Sequence, residues 1–250
     1  MTRDWISASD GGVSTDAFSE LRTNLDYARD LVSGGRRLEQ LRVGAFDVAD
    51  LYRAAWVQVV ASLDHWIHRE LYDRALGFAA NVDLQRPKKY LQIQVPMSLF
   101  EGVHHHAEEL SEAFEAQLQV QFGYLSFQAP DKIKQALAYV SDIPNFWSKV
   151  ALRLGSPSGT PYSSADVTER LSAITRRRNR IAHEADRDPE KPGWRTPISD
   201  TEVSEAIDWI EGLASAMVRT IGPPPPLPAR GNPPNINKPP KAKWTSEELY

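Results

Sequence analysis

The chain has 250 residues, with 29 lysines and arginines against 33 aspartates and glutamates, a formal net charge of −4 and 41% hydrophobic residues, values of a folded globular protein with room for a large core. It has no cysteine, which excludes disulfides, thiolate nucleophiles and cysteine-ligated zinc or iron–sulfur centres. No apolar run approaches the ~18 residues of a membrane span, the opening MTRDWISASDGG lacks a signal-peptide core, and the acidic balance argues against bulk coating of nucleic acid while leaving room for a local basic patch; a cytoplasmic protein is expected.

Helical spacing begins with Phe18, Leu21, Leu25, Ala28 and Val32, a pattern that predicts an amphipathic helix stopped by Gly34 and Gly35. The longest helix is expected over about 47–76, with Tyr52, Trp56, Val59, Leu63, Trp66 and Ile67 on one broad stripe. Residues 80–96 read as loop with one short extended piece over 90–93. A third helix is expected to open on a capping box, Ser98 with Glu101, and to bury Leu99, Val103, Leu110, Phe114 and Leu118. Shorter helices follow at about 131–140 and 144–154, the latter closed by Gly155.

Two strongly marked helices come next. Ser163 caps the first with Asp166 three residues on, and Tyr162 can staple against Val167. Ser199 and Glu202 form a second capping box, followed by the stripe Val203, Ile207, Ile210, Ala214, Met217 and Ile221, with Ile198 set to staple on Val203. Five to seven helices without strand pairs or a repeat predict an all-α bundle. From Gly222 the chain carries nine of its 18 prolines and reads as a largely unstructured tail that favours polyproline II. The division is an N-terminal helix and lead-in over 1–44, a helical domain over 45–222 and a proline-rich tail over 223–250.

The chemistry-bearing text lies in the helix after Ser163. Its stripe runs Val167, Leu171, Ile174, Arg178, Ile181, so that a guanidinium interrupts the apolar row and must be paired or face a cleft or an interface. Arg170, Arg176, Arg177 and Arg180 surround it, and His183 follows five residues later. On an ideal helix Arg178 and His183 stand about 140° apart. They converge only if the helix loosens near His183 or a second copy of the chain supplies one of them. A helix C-terminus whose cations offset the macrodipole is the other reading of the same residues.

Arg178-Asn179-Arg180-Ile181-Ala182-His183-Glu184 resembles the Arg-Asn-x3-His signature of HEPN domains, in the form found in the RiboL-PSP-associated subgroup. The helix bearing Leu63-Asp64-His65-Trp66, the segment from Trp147 to Gly155, and Arg195-Thr196-Pro197-Ile198 before the last helix look similar too, so the resemblance spans about 45–222. It implies a HEPN-like helical bundle that dimerises across its Arg/His motifs and cleaves RNA without metal or cofactor, leaving a 2′,3′-cyclic phosphate and a 5′-OH. It also implies a toxin or anti-phage defence role, with an antitoxin or defence-system protein as partner. Carried over by residue, Arg178 and His183 are catalytic, Asn179, Asp64 and Glu184 support them, and Arg176, Arg177 and Arg180 contact RNA. The alternative is a catalytically silent HEPN module for dimerisation or RNA binding.

Three further features carry less. His104, His105 and His106 fan out by about 100° each and cannot share one ion from a single helix. Asp64 and His68 are spaced to share a hydrogen bond. Pro225-Leu227-Pro228-Arg230 fits a PxxPxR ligand pattern but reads as a spacer, and the ending Trp244 to Tyr250 has apolar side chains able to dock on a partner or on the bundle.

Overall fold

The glycine- and proline-free stretch over 47–76 forms the body of the central helix, and most of its circumference is buried. In the computed structural model, which describes residues 15–42, 47–105, 109–155 and 161–227, this is α2, Ala49–Ala80. Around it lie α1 (Asp16–Gln40), α3 (Met97–His104), α4 (Leu110–Phe122), α5 (Pro130–Leu137), α6 (Phe146–Leu154), α7 (Ser164–Glu184) and α8 (Asp200–Ile221). Among the described residues the only non-helical pairing is an isolated antiparallel bridge between Arg187 and Arg195. The protein is all-α, and no helix among the described residues is long and apolar enough to cross a membrane.

The core is one cluster. Leu21, Leu25 and Ala28 of α1, Tyr52, Val59, Leu63 and Trp66 of α2, and Val203, Ile207 and Ile210 of α8 meet with the inner faces of α4 to α7. α1 lies along both α2 and α8, while α7 packs on α2, α5 and α6. Burying side chains of this size stabilises by roughly 1.5–3 kcal/mol each, which outweighs the weak helix propensity of the β-branched and aromatic residues in α2.

Four local expectations are corrected. α1 does not stop at Gly34 and Gly35 but runs on to Gln40. Gly35 is a close-approach site: a Cβ there would lie 2.5 Å from Cε1 of Tyr52, so the missing side chain lets α1 and α2 touch. The piece over 90–93 is a 3₁₀ turn at Tyr90–Gln92. The single helix expected from Ser98 is two, α3 and α4, and α3 starts after Pro96 with no side-chain cap. Phe114 and Leu118 are buried as expected, but Leu110 is exposed and Leu99 and Val103 are half-buried. Gly102 and the histidines that follow are weak helix formers at the point where α3 ends. His104 closes α3 and His105 caps it, both exposed; His106 lies outside the described residues.

The start of the proline-rich segment is held. Arg74, buried against Glu70 at 2.7 Å, donates to the carbonyls of Gly222 and Pro223. Asn81 donates to the carbonyl of Pro226 at 2.8 Å, and Gly77 leaves space that Pro225 fills. The Thr15 hydroxyl donates to the same Glu70, so one carboxylate ties the beginning of α1 to the end of α8. Arg230 and the ending Trp244 to Tyr250 lie outside the described residues.

Candidate active site

The site is built on α7, and its first half follows the sequence closely. Ser163 and Asp166 exchange hydrogen bonds at 3.1 and 2.8 Å in the expected capping box. The Ser163 backbone N–H, and after it the hydroxyl, hold the Asp166 carboxyl below its ordinary range. Val167, Leu171 and Ile174 are buried. One turn before the motif, two hydrogen bonds fix the helix: the Trp56 indole donates to the Ile174 carbonyl at 3.0 Å, and the Thr175 hydroxyl to Gln128 O at 3.1 Å.

At the next turn the guanidinium that enters the protein is Arg177. Arg178 is half-buried, whereas Arg177 is buried. Arg177 donates to Asp186 Oδ2 at 2.9 Å and to the carbonyls of Pro197 at 3.0 Å and Thr196 at 3.3 Å. Asp186, fully buried, also receives the Nε of Arg53 at 3.0 Å, and Arg53 reaches Asp50 and the Thr196 carbonyl. Arg177, expected to contact RNA, is instead buried, and its Nη2 donates inward, where it holds the end of α7 against the segment before α8; its Nε has no hydrogen-bond partner among the described residues.

That end is built against conformational preference. Ala185 and Asp186 are successive left-handed residues, with φ of 52° and 54°, and neither is glycine. Such a residue costs roughly 1–2 kcal/mol, which the buried carboxylate and its two guanidiniums offset. The Asp186 N–H bonds back to the Arg180 carbonyl at 3.0 Å, closing the helix in a Schellman-type turn.

The motif residues are therefore on a pinned, unbroken helix. Arg178 donates from Nη1 to Asn179 Oδ1 at 3.1 Å, and its Nε is sealed from solvent with no hydrogen-bond partner among the described residues. The Nε of Arg180 is in the same condition. Asn179, Arg176, His183 and Glu184 are exposed. Because α7 stays helical through Glu184, no loosening turns His183 toward Arg178, and within one chain they diverge by about 140°. Asp64 is engaged elsewhere: it accepts from Phe127 N at 2.6 Å and Gln128 Nε2 at 3.0 Å, and its own carbonyl, 2.9 Å from the His68 ring, is the hydrogen-bonding partner there. Asp64 is linked to α7 through Gln128, whose carbonyl accepts from Thr175.

Arg53, Asp186 and Trp194 were missed in the sequence. The readable signal for Asp186 was an acidic residue three positions after His183; for Trp194 it was a large aromatic amid Asp188-Pro189 and Pro192-Gly193.

A helical bundle with an Arg/His pair near the end of a clamped helix defines the HEPN class. The family model described as RiboL-PSP-HEPN matches residues 15–222, and the chain belongs to that family. The match takes in α1, which shares the core with α2 and α8. HEPN domains commonly act as ribonucleases, often bind RNA and dimerise, and some are inactive. No curated protein and no solved structure matches the chain.

Proposed function

We propose that the protein is a metal-independent endoribonuclease whose active centre forms where two copies bring their α7 helices together. The observation that carries this reading is the place of Arg178: a half-buried guanidinium whose hydrogen bond among the described residues goes to the neighbouring Asn179, on a helix clamped on both sides of it. A fixed cation at such a place suits a phosphodiester, whose non-bridging oxygens it can hold and whose growing charge it can stabilise. His183 is exposed and without a hydrogen-bond partner among the described residues, free to move a proton. In the step proposed, the 2′-OH loses its proton and attacks the adjacent phosphorus. The bond to the 5′-oxygen breaks, and that oxygen gains a proton. The products are a 2′,3′-cyclic phosphate and a 5′-OH. Asn179 orients Arg178, Arg176 and Arg180 extend the cationic surface along the RNA, and Glu184 lies beside His183 in the chain.

A toxin or anti-phage role, held in check by an antitoxin or defence-system protein in the cytoplasm, is the setting this activity fits. The competing reading is a silent HEPN module that dimerises or binds RNA. It draws on the contact between Arg178 and its own neighbour Asn179, which engages one end of the guanidinium within the chain. One assay separates the two. Cleavage of single-stranded RNA should persist in EDTA, leave a cyclic phosphate and fail with a 2′-deoxy nucleotide at the scissile position. Arg178→Ala and His183→Ala should each lower the rate by at least about 10²-fold, and Arg178→Lys should fall nearly as far, because it keeps the charge without the planar fork. Full activity in His183→Ala overturns the proposal, and so does cleavage that needs a metal.

A further inference from the structure

We infer that Trp194 is a stacking platform for an unpaired RNA base beside the scissile bond, an inference that rests on the ribonuclease reading and extends it to the form of the substrate. Among the described tryptophans, Trp56, Trp66 and Trp209 are buried and Trp147 is half-buried with its indole donating to the Pro130 carbonyl. Trp194 is 72% exposed.

Its exposure does not come with a loose backbone. Residues 186–196 form a short finger whose two sides are joined by Asp188 N–H to Trp194 O at 2.9 Å and Thr196 N–H to Asp186 O at 2.8 Å. Trp194 N–H donates to Lys191 O at 3.0 Å, and the Asp188 carboxylate accepts from Glu190 N–H at 2.9 Å, closing the tip. At its root the finger is held by the buried Asp186 and by Arg195, which donates to the Ala185 carbonyl and to Asp50. A residue mounted this way loses little backbone freedom when something stacks on its ring. The root begins three residues after His183, so the clamp that fixes the end of α7 also fixes the finger relative to the motif.

The rest of the finger indicates what stacks. Arg187 and Arg195 sit opposite each other at a position where the flanking residues make the ladder bonds, which brings side chains of a pair closest. Two like charges so placed repel. Arg195 has Asp50, while Arg187 is exposed and has no partner among the described residues. Trp194 and the uncompensated Arg187 are on the two facing sides of the finger, with their side chains on alternate faces, so one narrow finger offers a π face for a base and a cation for the phosphodiester chain that carries it. A protein partner is less well matched. Anchor tryptophans of protein interfaces sit among other apolar groups, and Trp194 is the only large hydrophobic side chain on the finger.

The test is RNA binding by the full chain in a His183→Ala background, where no cleavage intervenes. The probe is a fluorescein-labelled single-stranded RNA of mixed sequence, with the same sequence as a duplex for comparison, and light scattering follows the subunit number. Trp194→Ala should weaken single-strand binding about tenfold or more. Trp194→Phe should retain most of the affinity, duplex binding should not depend on residue 194, and the subunit number should stay the same. Unchanged single-strand affinity in Trp194→Ala overturns the inference, as does absence of binding in the His183→Ala parent. A changed subunit number overturns it too, and assigns Trp194 to a protein interface. If wild-type protein fails to cleave but binding depends on Trp194, the nuclease reading falls and the platform stands.

Discussion

The two ends of α7 are held by different physics. At the N-terminal end a capping box of exposed Ser163 and Asp166 satisfies the first backbone donors, and the apolar row Val167, Leu171 and Ile174 sets the rotation of the helix by burial. At the C-terminal end burial of apolar groups gives way to one carboxylate, Asp186, buried between Arg53 and Arg177, and to two left-handed residues that are not glycine. Apolar packing tolerates small shifts and remains favourable. A buried ion cluster does not, since it outweighs its desolvation only when its geometry is kept. The contrast teaches that the end carrying Arg178 and His183 is held by directional contacts whose geometry must be kept, where the other end is held by burial.

The largest test of this contrast removes the carboxylate. Asp186→Ala leaves the Arg177 guanidinium buried without a carboxylate and takes one of the carboxylate partners of the buried Arg53, and should lower stability by about 3–5 kcal/mol, measured by urea unfolding. Losing the capping serine should matter far less: Ser163→Ala should cost about 1 kcal/mol. The cap also has a pH signature. The folded Asp166 carboxyl titrates below its unfolded value, so its contribution is complete above about pH 4 and disappears as pH falls through the lower folded value. Unfolding curves of Asp166→Asn should lose that part of the acid dependence, and those of Ser163→Ala, which keeps the backbone N–H, only the share due to the hydroxyl. The smallest change should have the opposite sign. Ala185→Gly relieves one left-handed residue and should leave stability equal or raise it by up to about 1 kcal/mol, while loosening the finger that carries Trp194. A loss of several kcal/mol there would show that the Ala185 methyl is packed and the backbone unstrained.

Much of the fold was readable because burial repeats with the helical period. The stripes of α1, α2 and α8 and both serine caps are where the sequence put them, although Ser199 only accepts from Glu202 N–H and Glu202 does not return the bond that would complete a second capping box. The misreadings come from residues whose role depends on a distant partner. Gly35 looks like a stop until Tyr52 is found against it. Arg178 completes a stripe on paper, but α7 turns Arg177 inward because Asp186 and the carbonyls of Thr196 and Pro197 are there to receive it. The motif itself was legible as a string, whereas its support by Arg53, 124 positions before Arg177 (177 − 53), follows no local rule. Asp64 shows both cases: its spacing to His68 does give a hydrogen bond, made by the Asp64 carbonyl with the carboxylate 3.8 Å from the ring, while the use of that carboxylate to hold residues 126–128 follows no local rule.

The central claim is that one unbroken helix separates Arg178 from His183 and that a second copy restores the pair. Subunit mixing tests it directly. Arg178→Ala and His183→Ala proteins, each inactive alone, are combined in equal amounts, allowed to exchange subunits and assayed for RNA cleavage. If each centre takes Arg178 from one chain and His183 from the other, half of the dimers are mixed and each has one intact centre, so activity should return to about a quarter of wild type. Mixing that restores no activity, while native gels show the mixed dimers forming, would contradict the account and require both groups to act from the same chain.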